Sequence, residues 1–207
     1  MNIILATHNK GKIEEFRRIF LNCPVNLSSV FDYGITLEPE ETGVNFSENA
    51  QIKLDYYLKI IKKNKPHDNS NKNLLLAEDS GIEIEALNGD PGVLSARYGG
   101  EGLNSMDRNN LVLKKMKDIS PENRKARFVC CIKVVDIKMD SVYEFIGYSE
   151  GIILDDIYGS KGFGYDPIFK PLGYNVSMAS LEPEVKDKIS HRGLATRKLI
   201  KELLDAR

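Results

Sequence analysis

Leu74-Leu75-Leu76-Ala77-Glu78-Asp79-Ser80-Gly81 is the stretch that decides the fold. An unbroken apolar run of this length predicts a strand buried on both faces, the kind found in parallel or mixed sheets covered by helices. The strand is expected to end at Glu78 and to deliver Asp79-Ser80-Gly81 at its tip. Ile82 to Leu87 alternates and continues as extended chain.

Upstream, Ile3-Ile4-Leu5-Ala6 predicts a second short buried strand. It stops at Thr7-His8-Asn9-Lys10-Gly11-Lys12, and a helix follows with Ile13, Phe16, Ile19 and Phe20 on one face. Residues 25–31 suggest a strand and 36–44 an acidic loop. Asn45 and Glu48 have capping spacing before a helix that carries Phe46, Ala50, Leu54, Tyr57, Leu58 and Ile61. The polar run 62–73, rich in Asn and Lys, is expected to be a solvated surface loop, with His67 exposed in it.

Downstream, Asn88-Gly-Asp-Pro-Gly92 is a turn cluster and residues 105–117 are helical. Ala126 to Asp136 and Val142 to Leu154 form a hairpin around Lys138-Met139-Asp140. Gly162 to Phe169 is a glycine-punctuated segment ending in a strand, and 192–206 is a closing helix. No internal repeat and no linker interrupt the chain. The fold class is therefore α/β with a long mixed sheet flanked by helices.

The bulk numbers narrow the function. Over 207 residues, 29 basic side chains nearly balance 30 acidic ones. Such a chain has no global field and no basic groove for a nucleic-acid backbone or an anionic membrane. An anionic ligand must be held by a local cluster. The three cysteines, Cys23, Cys130 and Cys131, make no C-x-x-C and no disulfide framework, which suits a reducing compartment. Cys130 and Cys131 should point to opposite faces of their strand. No segment has the apolar length of a signal core or a membrane span, so a cytoplasmic protein is expected.

Candidate chemistry falls in separate places. Thr7-His8-Asn9-Lys10-Gly11-Lys12 joins a strand to a helix N-terminus, where backbone N–H groups and lysines suit an anion, although an ordinary capped helix start reads the same way. It is not a Walker loop, because Ile13 stands where Ser or Thr should follow the lysine. Glu38, Glu40 and Glu41 crowd the acidic loop. Asp79 ends a buried strand, where the active sites of open α/β sheets gather, although a turn residue bonding its own backbone also suits that place. Glu40 with Asp79 offers hard oxygens to one Mg²⁺, leaving sites for phosphate and water. Phe163, between Gly162 and Gly164, suits either a planar base or a core position at a glycine-relaxed strand entry. Lys186 with Ser190-His191-Arg192 supplies hydrogen-bond donors.

Taken in order, these stretches resemble the inosine triphosphate pyrophosphatase family over nearly the whole chain. The matching segments are Ala6–Lys12, Glu40–Gly43, Phe46–Ala50 with Lys53, and Ala77–Gly81, followed by Pro91–Tyr98, Ala126–Phe128, Gly162–Phe169 and Ile189–Gly193. The resemblance implies a single domain over 1–207 with two lobes around a central nucleotide cleft, a homodimer and Mg²⁺. It implies that deaminated purine nucleoside triphosphates (ITP, dITP, XTP) are cut between the α and β phosphates.

It also implies substrate contacts from Thr7, His8, Asn9, Lys10, Gly11 and Lys12, with Lys53 on departing charge. Glu40 and Asp79 would ligate the metal, with Asp79 as proton acceptor. Ser80, Phe163, Gly164, Tyr165, Asp166, Lys186, His191 and Arg192 would contact base and sugar. Departures are His8 where glycine is common, Glu78 for a frequent aspartate, and the long polar run 62–73. Two other readings are a pyrophosphatase of different base specificity and a non-catalytic nucleotide-binding regulator. A donor-lined base site disfavours the first, and the pairing of Glu40 with Asp79 the second.

Overall fold

In the computed structural model, which describes residues 1–64, 72–139 and 141–205, strand β1 (Asn2–Leu5) leads into helix α1 (Lys10–Ile19). Strand β2 (Asn26–Ser29) is shorter than the 25–31 expected, because Val30–Tyr33 winds into a 3-10 turn capped by Asp32 on the Ser29 N–H. Helix α2 (Phe46–Asn64) starts as its capping residues require: Glu48 N–H donates to Asn45 Oδ1 at 2.9 Å.

Strand β3 (Asn73–Ile84) does not stop at Glu78 but runs unbroken through Asp79-Ser80-Gly81. The expected 62–73 loop is correspondingly shorter, since Lys62 and Lys63 belong to the last turn of α2 and Asn73 opens β3. Residues 65–71, His67 included, lie outside the described residues.

Helix α3 (Ser105–Lys115), strands β4 (Lys125–Asp136) and β5 (Val142–Ile153) and the short strand β6 (Phe169–Pro171) follow. Helix α4 (Pro183–Ile189) was not expected, though proline at its first position marks a helix start; α5 (His191–Asp205) closes the chain.

The sheet has the order β2-β1-β3-β4-β5-β6. β1 lies parallel to both β2 and β3, with Ile3 beside Leu27 and Leu74, and β6 runs antiparallel to β5. The sheet is therefore mixed, as expected.

The chain divides into two compact units. The first comprises Met1–Asp79, Cys130–Ile146 and Ala195–Arg207. Its strands alternate between two apolar layers. Ile3, Leu5, Leu74, Leu76 and Cys130 pack with Phe16 and Phe20 of the α1 segment and Leu199 of α5. Ile4, Ala6, Leu75, Ala77 and Val135 pack with Leu54, Tyr57 and Ile61 of α2. The period of two thus buries both faces.

The second unit comprises Ser80–Val129 and Gly147–Leu194. Ile82, Ile84, Val112, Phe128, Ile153, Phe169 and Met178 form its core. The buried Arg124 guanidinium binds the carbonyl oxygens of Met116 and Ile119 after α3 and of Ile153 and Leu154 at the end of β5. Among the described residues no helix is long and apolar enough to cross a membrane.

Candidate active site

In the first unit, β3 carries Glu78 and Asp79 side by side, so their side chains leave on opposite faces. Glu78 faces the α1 layer. Its Oε2 lies 2.8 Å from Lys12 Nζ, and its Oε1 accepts the Cys130 thiol at 3.5 Å. Asp79 faces the α2 layer, 5% exposed. Lys53 Nζ donates to Asp79 Oδ1 at 2.9 Å and to the Glu78 carbonyl oxygen at 2.9 Å. Glu41 completes the group, 2.6 Å from the same ammonium.

Asn49 Nδ2 donates to Asp79 Oδ2 at 3.2 Å. Asn49 and Lys53 stand four residues apart on α2, hence on one face, which is why both reach the same acid. That spacing was readable within Phe46–Ala50 and Lys53; Asn49 was nonetheless not expected at the site.

Burial dominates the electrostatics of Asp79 and pushes its carboxyl up. Lys53 and Lys12 oppose that rise, and Glu41 adds to it. For Lys53, burial alone would lower the ammonium, but Asp79, Glu41 and Glu78 outweigh it and hold it above the ordinary lysine range. The centre is therefore a buried acid–lysine cluster whose cations are neutralised by protein carboxylates.

The turn before α1 serves the helix as well as any ligand. Asn9 is its N-cap, accepting from Lys12 N–H at 3.1 Å, and Thr7 Oγ1 accepts from Asn9 N–H. Lys10 and Gly11 begin α1, with Lys10 exposed. His8 points into the protein: its ring nitrogens face the Ile35 carbonyl oxygen at 2.6 Å and Glu38 Oε1 at 2.8 Å. It braces the acidic loop against the turn. In that loop Glu40 is exposed, whereas its neighbour Glu41 reaches Lys53.

Carboxylate oxygens are the hard donors that Mg²⁺ takes. Among the described residues no three or more His, Cys, Asp or Glu side chains converge as a closed metal cage. Mg²⁺ seldom needs one; it keeps several waters and binds through one or two carboxylates together with substrate phosphates. The donor set suits an ion that arrives with phosphate.

In the second unit, Phe163 is ringed by cations. Lys186 Nζ lies 5.0 Å and the Arg192 guanidinium carbon 5.7 Å from its ring centroid. Asp166, buried, accepts the Phe163 N–H at 2.9 Å and pairs with Lys186, so it orients the platform and its cation. The Gly164 carbonyl oxygen accepts from Asn109. Arg192 donates to Ser80 Oγ at 3.0 Å. His191 is buried, its ring stacked on Phe128 with centroids 4.7 Å apart. Tyr165 lies in the core, with its hydroxyl donating to the Ser95 carbonyl oxygen at 2.9 Å.

The model of the Ham1 family matches residues 3–202. The chain is 36% identical over 203 residues to a dITP/XTP pyrophosphatase of Listeria monocytogenes serovar 1/2a, covering 98% of this chain and 95% of the relative. It is 41% identical over 199 residues to one of Thermoanaerobacter sp., covering 96% and 94%. Among solved structures, a HAM1 protein from Coxiella burnetii superposes with TM-score 0.83 at 32% identity, covering 99% of each chain. The Staphylococcus aureus Ham1 protein does so with 0.82 at 35% identity, covering 100% of each.

Proposed function

The chain belongs to the Ham1 family, and we infer from that membership that it hydrolyses deaminated purine nucleoside triphosphates to the monophosphate and pyrophosphate. The observation that carries the reading is the buried Asp79 held between Lys53 and Asn49, beside Glu41. Relatives 36% and 41% identical bear the name dITP/XTP pyrophosphatase, which supports ITP, dITP and XTP as substrates.

Positioning and charge neutralisation dominate phosphoryl transfer. Lys12 and Lys53 exchange their carboxylate partners for phosphate oxygens as the triphosphate binds, and they neutralise the departing pyrophosphate. Asp79 accepts the proton of the water that attacks the α-phosphorus. A carboxyl raised by burial is a better proton acceptor than an ordinary one. Mg²⁺ bound through Glu40 and Asp79 would supply neutralisation of phosphate oxygens.

Phe163 stacks on the base. The donors around it have fixed directions, Lys186 through Asp166 and Arg192 through Ser80. A 6-keto oxygen accepts from such donors. The 6-amino group of adenine faces donor with donor, and sites built this way discriminate strongly. A homodimer in the cytoplasm completes the reading, supported by the family resemblance. Light scattering on the eluting protein should give twice the mass of one chain.

The test is a panel of ITP, dITP, XTP, GTP and ATP with Mg²⁺, resolving pyrophosphate from orthophosphate. Pyrophosphate release from the first three, with ATP at least about a hundredfold slower, is expected. Orthophosphate as the product, or ATP as the preferred substrate, would overturn the reading.

A further inference from the structure

Asn49 is 0% exposed and spends both ends of its amide. Oδ1 accepts the Gly43 N–H at 2.8 Å, and Nδ2 donates to Asp79 Oδ2 at 3.2 Å. Only one orientation of the amide satisfies both: turned over, its NH₂ would meet an N–H and its oxygen a carboxylate. The other oxygen of Asp79 is taken by Lys53 at 2.9 Å, so the plane of the carboxylate is fixed at both corners.

Gly43 is shaped for this bracket. A Cβ there would lie 2.7 Å from Asn49 Oδ1 and 2.8 Å from Asn49 N, so any side chain would push the acidic loop off the amide. The start of α2 does not depend on the bracket, because Asn45 and Glu48 cap it separately.

We propose that Asn49 is a positioning residue for the hydrolytic step, tying the loop of Glu40 and Glu41 to Asp79 and setting the direction in which Asp79 meets the attacking water. The proposal rests on Asp79 as proton acceptor. A small misalignment of such a group is enough to cost a large factor in rate while leaving ground-state binding in place.

Asn49→Ala removes both contacts, and Asn49→Leu removes them while keeping the side-chain volume. Steady-state kinetics with ITP and Mg²⁺ should show kcat at least about tenfold lower in both, with KM within about threefold. Calorimetry with an α,β-methylene analogue of ITP in Mg²⁺ should give an affinity within about threefold of the parent.

A kcat within twofold of the parent in both variants would overturn the proposal. So would lost affinity with kcat intact, or kcat falling only in step with the folded fraction. Should the Asn49 variants fail to fold, Gly43→Ala probes the bracket from the loop side, leaving Asn49 and Asp79 in place. The same drop in kcat is expected, and parental kcat overturns the proposal. An unmodified protein releasing no pyrophosphate from ITP, dITP or XTP would take down the functional reading and this proposal together. Active parent with unaffected variants would take down the Asn49 role alone.

Discussion

Glu78 and Asp79 are consecutive on one strand yet belong to opposite faces of the sheet, each with its own lysine: Lys12 at 2.8 Å from Glu78 and Lys53 at 2.9 Å from Asp79. The alternation of β3 dictates this. Residues 74 and 76 pack in the α1 layer and 75 and 77 in the α2 layer, and the acids continue the same register. Two adjacent acids thus meet different neighbours: Glu78 approaches a thiol and a lysine, while Asp79 gains an amide, a lysine and the nearby Glu41. Of the two, only Asp79 is bonded to the Asn49 amide that also holds the acidic loop at Gly43, which favours it over Glu78 as the proton acceptor.

Asp79→Asn removes the acceptor but keeps the shape and the contact with Lys53. Turnover of ITP should fall on the order of a thousandfold, while the α,β-methylene analogue still binds in calorimetry. Near-parental turnover would assign the proton to another group.

Phe163→Ala removes the platform beneath two cations without touching the acid–lysine cluster. KM for ITP should rise about tenfold with kcat largely kept, and the rise should be similar for other triphosphates, since every base has a face to stack. Arg192→Leu should instead narrow the difference between ITP and ATP, because it removes a directed donor. Measuring kcat and KM for both nucleotides in both variants separates stacking from base readout.

β1, β3 and β4 were legible because burial on both faces leaves apolar runs, and the mixed α/β sheet followed from them. Turns and loops were less so. Nothing periodic distinguishes Glu40 from Glu41, yet only Glu41 reaches Lys53. His8 sits in a turn that reads as a phosphate cradle, but the Ile35 carbonyl oxygen and Glu38 hold its ring. Asn49 carried a signal, its helical spacing to Lys53, that becomes informative only once Asp79 is known to face α2. Glu78 was expected to end its strand; hydrogen bonding to neighbouring strands carries β3 on to Ile84.

Gly193→Ala tests how closely α5 begins against the end of α4. A Cβ at Gly193 would fall 1.8 Å from the Asp187 carbonyl oxygen, a backbone atom that cannot step aside. The helices must part, and with them Lys186 on one and His191 and Arg192 on the other. The variant should lose about 1–3 kcal/mol of stability in denaturant titration. It should also lose discrimination between ITP and ATP. An unchanged denaturation midpoint would show that the helices separate without strain.

Alkaline pH offers a last test, through a buried thiol of β4. Cys131 is buried on the α2 side of β4, and burial with Glu144 beside it raises the thiol from 9.0 to about 12. The sign follows from proton linkage. Above pH 9 the unfolded chain releases this proton while the folded chain keeps it, so the unfolded state gains. The stability that Cys131 contributes is complete below about pH 9 and is lost as pH climbs towards 12, at up to about 1.4 kcal/mol per pH unit. Cys131→Ala should therefore flatten the fall of unfolding free energy between pH 8 and pH 10.5. In the same range the native protein should resist iodoacetamide at Cys131, because the thiolate is the reactive form and is scarce. Rapid alkylation of Cys131 in folded protein at pH 8, read by mass spectrometry, would contradict both expectations.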